Sequence, residues 1–381
     1  MIFLALKMLT GDRTKYAGLL FGVTFTSFLV TFAAAYFGGM MNRSYALVAE
    51  TPGDVWVMDP AVVSVEPAIP LPDSALNRVR SVAGVRSAVP LIVSSAEARF
   101  SDGTFQSLEV IGVDDESLAG LPRMPAGLKA ESLRGPDAAL IDSGGTDGKT
   151  DLTRPARPLG RGDVLSINDN RAILAGRSDA LPRYPPRPLL YTTLPNARRI
   201  LPVEREEITF VLANVAPGAD PKDVAARIEQ ATGLRARPRE DFEQDTVRWM
   251  IQNSEDVGDV INMLSIAMLV GVAVTGVMMF MFTNENLRFY AVLKAMGTTT
   301  WQLVVAVVAQ AAVAAAIGAG LGMGLCALAG HFFVVNDFPY RLEWFAPALG
   351  TVAVVVISML AAAASLWPLL RMRPAPYLAG R

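Results

Sequence analysis

Two residue types that build reactive centres are nearly missing from this chain, which has one cysteine, Cys326, and one histidine, His331. A lone cysteine excludes a disulfide within the chain, and because it lies in an apolar run it says nothing of the redox compartment. A lone histidine rules out imidazole clusters for zinc and leaves a Ser-His-Asp system without support. Charge is scarce as well. Only 18% of the 381 residues are charged, against about 25% in a soluble protein. The shortage is uneven. Asp, Glu, Lys and Arg are absent from Ala17–Met41, Val260–Asn284, Ala295–Asn336 and Trp344–Leu370. By contrast, Asn42 to Asp259 holds 32 acidic and 25 basic residues. That segment reads as a mildly acidic soluble domain, without the basic stripe that nucleic acid requires.

The charge-free runs set the architecture. A bilayer core about 30 Å thick takes roughly 20 apolar residues as helix, so the runs predict four spans: 17–41, 260–283, 301–329 and 346–370. Gly297-Thr298-Thr299-Thr300 reads as the turn before the third. Lys7, Arg13 and Lys15 precede the first span, Arg288 and Lys294 lie between the second and third, and Arg371, Arg373 and Arg381 follow the fourth. The positive-inside rule therefore puts both ends and the 284–300 loop in the cytoplasm, with 42–259 and the short 330–345 loop outside. Residues 1–16 suit a short interfacial helix or a plain hydrophobic start, and 371–381 form a cytoplasmic tail. The first run is longer than the apolar core of a cleaved signal peptide. No Asp, Glu, Lys, Arg or His lies within the spans, which hold Cys326, and His331 sits at the outer end of the third. Proton- and ion-coupled carriers need such groups along their path, so the energy for any transport must come from elsewhere.

The expected fold is thus four transmembrane helices with a large α+β extracytoplasmic domain inserted between the first and second. Two strand–helix–strand patterns occur in that domain. Asp54–Met58, Asp73–Val82 and Val85–Phe100 form one, continued by Gln106–Val113. Ile208–Ala213 and Pro221–Thr232 belong to the other, with Val224, Ile228 and Ala231 expected inside and Gly233 as the stop. The Pro- and Gly-rich middle, 117–202, reads as β and loop, so the domain is expected in two lobes. From Asp241 the pattern stays helical into the second span. One helix from Asp241 to Thr283 would be about 64 Å long at 1.5 Å per residue, a stalk over 241–259 fused to the membrane helix; a break at Gly258 is the alternative.

Ser143-Gly144-Gly145-Thr146-Asp147-Gly148-Lys149-Thr150 nearly matches a phosphate-binding loop. The required first glycine is missing, and Pro155 and Pro158 forbid the helix that must follow; it reads as a surface turn. Asp114-Asp115-Glu116 reads as a solvated turn and not a Ca²⁺ site. No catalytic, cofactor or metal site emerges, and the chain is expected to be no enzyme. Gly318/Gly322 and Gly320/Gly324 are two small-xxx-small pairs in the third span, suited either to packing within the chain or to a dimer seam.

The 284–300 loop is the informative segment. Leu287, Tyr290, Ala291 and Lys294 share one helical face, and Gly297 stops the helix. A short amphipathic helix between spans can dock in a groove on a soluble partner, or it can be merely structural. Its Val292-Leu293-Lys294-Ala295-Met296-Gly297 run, followed by Gln310 and Gly318 to Gly324, resembles the FtsX/MacB-like permeases of ABC transporters. Gly84-Val85, Val110-Ile111-Gly112-Val113-Asp114, Gly162-Asp163-Val164 and the four-span layout extend the likeness over nearly the whole chain, which looks most like the heterocyst-exporter type.

That resemblance implies a permease homodimer in the bacterial inner membrane, bound to a separate ATPase subunit that holds the ATP. The loop would couple to the ATPase through Glu285, Arg288, Tyr290, Leu293, Lys294, Met296, Gly297 and Trp301. Phe289 stands where members usually carry an acid, leaving polar contacts to Glu285, Arg288 and Lys294. Motion of the ATPase would pass to the external domain by mechanotransmission and move a lipid-like or externally captured cargo, with an extracytoplasmic adaptor as a further partner. The alternative is an FtsX-like signalling subunit that activates an external cell-wall enzyme.

Overall fold

The computed structural model describes residue 7 and residues 13–371, apart from 67–68, 101–102, 104, 123, 125–127, 143–158, 203–206 and 336–337. The phosphate-loop look-alike and most of the expected N-terminal interfacial helix and cytoplasmic tail lie outside the described residues, and residues 13–16, expected in that interfacial helix, instead open the first long helix. The chain divides into two compact units: residues 41–254, and residues 1–40 with 255–381.

The first unit is built on a nine-stranded sheet. Its strands are β1 (Val55–Met58), β3 (Val85–Arg99), β4 (Phe105–Val113), β5 (Ala138–Asp142), β6 (Val164–Ile167), β7 (Asn170–Ser178), β8 (Leu189–Thr193), β10 (Phe210–Val215) and β11 (Arg235–Pro238); β2 (Leu71–Pro72) and β9 (Glu207–Ile208) pair separately. The strand order is β11-β1-β10-β3-β4-β8-β5-β7-β6, with a further pairing of β6 to β3. Two halves follow from that order. In one, β11-β1-β10-β3 are all antiparallel neighbours; the short helix Ala46–Glu50 (α2) precedes β1, and the helices Ser74–Arg80 (α3) and Pro221–Thr232 (α5) connect β1 to β3 and β10 to β11. This is a split βαβ arrangement of the ferredoxin type, and both strand–helix–strand patterns read from the sequence fall within it. In the other half, β3-β4-β8-β5-β7-β6 closes on itself where Ala98 and Arg99 pair with Ile167 and Ser166. The 15-residue β3 belongs to both halves.

Alternation along the strands buries both faces of the sheet. Val55, Val57, Val110, Ile141, Leu190 and Val211 join one core with Val79, Val224 and Ile228 of α3 and α5. Trp56, Met58, Ile111, Tyr191, Phe210 and Leu212 point the other way, into a core closed by Phe242. There Trp56 meets Phe210 edge-on, with centroids 5.2 Å apart. α5 starts on Asp220, whose Oδ1 accepts from the Lys222 N–H at 2.9 Å, and ends at Gly233 with φ +70°. Ala231, expected inside, is exposed; Ala225 packs in its stead, one turn after the cap and on the sheet side. The proline-rich middle also contains a helix, Leu194–Ile200 (α4), that its composition obscured.

The expected unbroken helix from Asp241 to Thr283 is not formed. The first part, Arg239–Asn253 (α6), ends at Ser254, which is extended at φ −88° and ψ 127°. A new helix, Glu255–Glu285 (α7), then begins with Glu255 and Asp256 in its first turn. The break is therefore not at Gly258. The signal was present: a serine followed by two acids marks a helix start, where the macrodipole favours negative charge.

The second unit is the membrane bundle. Its long helices are Arg13–Ser44 (α1), α7, Thr300–Val335 (α9) and Phe345–Arg371 (α10), with Leu287–Ala295 (α8) between α7 and α9. The segments long and apolar enough to cross a membrane are Tyr16–Ser44, Glu255–Glu285, Thr300–Phe333 and Phe345–Trp367. α1 is the hub, because small residues let three helices approach it. A Cβ added at Gly22 would lie 2.9 Å from Val274 of α7, and one at Gly318 of α9 would lie 2.5 Å from Val23. Gly350 of α10 abuts Thr31. α7 turns Ile266, Leu269, Val277 and Phe280 outward, the surface expected of a helix against lipid.

Candidate functional site: the loop between the second and third spans

The turn that carries the sequence signature is held by two caps in direct succession. At the end of α8, Gly297 N–H donates to Lys294 O and Thr298 N–H to Leu293 O, both at 3.1 Å, with Gly297 at φ +95°. This is a Schellman stop, and its left-handed residue is one that glycine occupies without strain. The next residue caps α9. Thr299 N–H donates to Gln302 Oε1 at 3.0 Å, and Gln302 N–H donates to Thr299 Oγ1 at 3.3 Å, the reciprocal pattern of a capping box. The backbone of the turn is thereby fixed from Leu293 to Gln302.

The inner face of α8 faces the bundle. Leu287, Tyr290 and Ala291 are buried with Leu19, Phe282, Leu303 and Val307, and the Tyr290 hydroxyl lies 3.2 Å from Gln310 Oε1, to which it donates. Burial pushes the Tyr290 phenol up to about 12, so it stays a neutral donor. The structure thus places Tyr290, expected to touch a partner, inside the chain, and half-buried Leu293 packs on the same core. The outer face is apolar. Phe289 is 62% exposed, Met296 77% and Trp301 73%, with Val292 beside them. Glu285, Arg288 and Gly297 are exposed and Lys294 half-exposed. Phe289 and Val292 were not among the residues singled out for coupling; their offsets of one residue before and two after Tyr290 put them on the other side of the helix and could have shown it.

The two glycine pairs of α9 differ in their surroundings. Gly318 and Gly322 pack on Val23 and Ser27 of α1, whereas Gly320 and Gly324 meet nothing within 4 Å. At the other end of the bundle, Tyr340 donates to Cys326 O at 2.8 Å within a cluster containing Phe32, Phe333 and Phe338. Among the described residues, no group of three or more His, Cys, Asp or Glu side chains is placed to hold a metal ion.

Four apolar helices and a folded domain between the first two define a multi-pass membrane protein with a large extracellular α+β domain. Two family models match it: the MacB-like periplasmic core domain over residues 17–231, more than half the chain, and the FtsX-like permease C-terminal over residues 261–374. The chain belongs to the FtsX/MacB-like permeases of ABC-type transporters, proteins of the bacterial inner membrane that work with an ATPase partner. No curated protein matches it. Among solved structures, it is similar to the extracellular domain of the noncanonic ABC-type transporter YknZ from Gram-positive bacteria, at 13% identity and TM-score 0.34 over 49% of this chain and 98% of that one. The periplasmic region of MacB from Actinobacillus actinomycetemcomitans matches at 13% identity and TM-score 0.38, over 54% and 95%. A domain of a putative permease from Porphyromonas gingivalis gives 13% and 0.32, over 49% and 91%. Family membership rests on the two family models, not on these likenesses.

Proposed function

We propose that this chain is the membrane subunit of an ABC exporter, that its ATPase is a separate cytoplasmic protein, and that ATP-driven motion enters through α8 and passes to the extracellular domain. The observation that carries the reading is α8 and its double-capped turn, which present Phe289, Val292, Met296 and Trp301 outward, in a loop whose arginine and lysine argue for the cytoplasmic side. Exposed apolar side chains outside the bilayer, on a backbone that cannot relax around them, are what a docking helix offers a groove. Tyr290 and Leu293 would serve from behind, transmitting displacement of α8 into the α7–α9 core. Arg288, Lys294 and Glu285 would supply the polar rim, and ATP would be bound by the partner alone.

The work would be done at or beyond the outer surface, because the spans carry no chain of ionisable residues to line a hydrophilic path. The cargo is then either held by the extracellular domain or drawn as a lipid-like molecule from the outer leaflet, and an extracytoplasmic adaptor would receive it. A homodimer would have Gly320 and Gly324 as one open helix face for its seam. The test is Met296→Glu in the complex purified with its ATPase. Retained complex with loss of permease-stimulated ATP hydrolysis, or loss of the complex itself, is the expected result. Unchanged binding and unchanged stimulation would overturn the assignment.

A further inference from the structure

One edge of β3 changes partner along its length. Up to Leu91 that edge is paired with β10, and from Ala98 with β6. Between those points a cleft of about 640 Å³ opens, lined by Ile92 to Ser95 of β3 together with Trp249 of α6 and Leu201. Its size falls within the range of small-molecule sites, and such sites favour the junction between two halves of a domain.

Among the described residues, the charges lining the cleft do not cancel. Glu109, on β4, is buried and ion-paired with Arg183, each side chain about one-twentieth exposed, so that pair is neutral within itself. Arg183 also borders a side pocket of only about 10 Å³, room for no more than a water, so its guanidinium is not offered to an anionic ligand. Among the described residues, that leaves Glu66 and Glu207 facing one arginine, Arg187. Arg187 is 3.6 Å from Glu66, partly exposed, and shared with Ser95 Oγ at 3.5 Å. Burial first, and then the Glu109 carboxylate, hold the Glu66 carboxyl above its usual range despite both arginines. Counting those described side chains, carboxylates outnumber arginines by one beside an indole ring and an aliphatic wall.

We propose that this cleft binds a small organic monocation with an apolar body, an aryl- or alkyl-ammonium: Glu66 and Glu207 take the charge, Trp249 the cation's π contact, and Ile92, Val93 and Leu201 the hydrocarbon. This rests on the transport reading only in making the ligand a cargo; binding itself needs no ATPase. A ligand here would touch β3, the strand common to both halves of the sheet, together with α6.

The test is isothermal titration of the full chain in maltoside detergent with benzyltriethylammonium, benzyl alcohol and benzenesulfonate. The ammonium should saturate one site, with the alcohol and the sulfonate at least about tenfold weaker. Glu66→Gln and Trp249→Leu should each weaken ammonium binding about tenfold. Trp249→Phe, which keeps a ring, should stay within about threefold, and Arg187→Gln should tighten binding by removing a competitor for Glu66. Thermal unfolding of each variant separates lost binding from lost fold. Absence of saturable ammonium binding by the folded wild-type chain, sulfonate binding as tight as the ammonium, or unchanged affinity in both Glu66→Gln and Trp249→Leu would overturn the inference. The Met296→Glu result bears on the transport reading alone.

Discussion

Trp301 offers the sharpest measure of the docking surface. It lies at the second helical position of α9, held by the capping box beside it, and is 73% exposed. A tryptophan has about 150–250 Å² to bury, so about 110–180 Å² of Trp301 remains for a partner. At ~25 cal/mol per Å², full coverage would contribute about 3–4.5 kcal/mol. Covering half would contribute about 2 kcal/mol, or roughly thirtyfold in affinity. Trp301→Ala should therefore weaken ATPase binding about thirtyfold while leaving the fold alone, since an exposed side chain contributes little to packing. The assay is titration of the purified ATPase onto the detergent-solubilised permease. The control is Trp344→Ala: Trp344 is 82% exposed but lies between the third and fourth spans, on the outer side. Binding unchanged within twofold for Trp301→Ala, or an equal loss for Trp344→Ala, would refute the placement of the ATPase on the turn between α8 and α9.

Three further outcomes follow from other parts of the chain. Gly322→Leu should drive a side chain into Ser27 of α1 and lower bundle stability by about 1–3 kcal/mol, seen as a reduced melting midpoint, whereas Gly320→Leu should leave that midpoint unchanged and diminish the dimer recovered after crosslinking; equal midpoints for the two variants would count against the packing described. Asp245 joins Arg235 at 3.0 Å and Arg237 at 2.8 Å, fixing α6 to β11; with its partners partly exposed and screened, Asp245→Asn should cost about 1–2 kcal/mol in denaturant unfolding, and no loss would mean these pairs do not hold α6. The raised Glu66 pKa has a defined sign: the unfolded chain ionises first as pH rises, so the Glu66 contribution is whole below the unfolded value near 4.5 and is lost as pH climbs through the higher folded value. Glu66→Gln should flatten the stability profile above about pH 4.5, and a profile parallel to wild type would contradict the burial assigned to this carboxyl.

Much of the candidate site was legible one residue at a time. Gly297 as a stop and Thr299 through Gln302 as a start are local chemistry, satisfied within a few residues. Sidedness was less legible. The sequence places Tyr290 and Phe289 next to each other on an amphipathic turn, but which faces the bundle depends on Leu303, Val307 and Gln310 arriving from the following helix. The same holds for the glycines of α9: one spacing, two pairs, and only the position of α1 shows that Gly318 and Gly322 are packed while Gly320 and Gly324 are open.

Four spans, their orientation and an inserted α+β domain were determined by the sequence alone, because hydrophobic length and flanking charge act through the bilayer and need no knowledge of neighbours. The closure of β6 onto β3 and the cleft beside Trp249 were decided only in three dimensions. Each depends on residues far apart in the chain, such as Arg99 with Ser166, whose meeting no local pattern records.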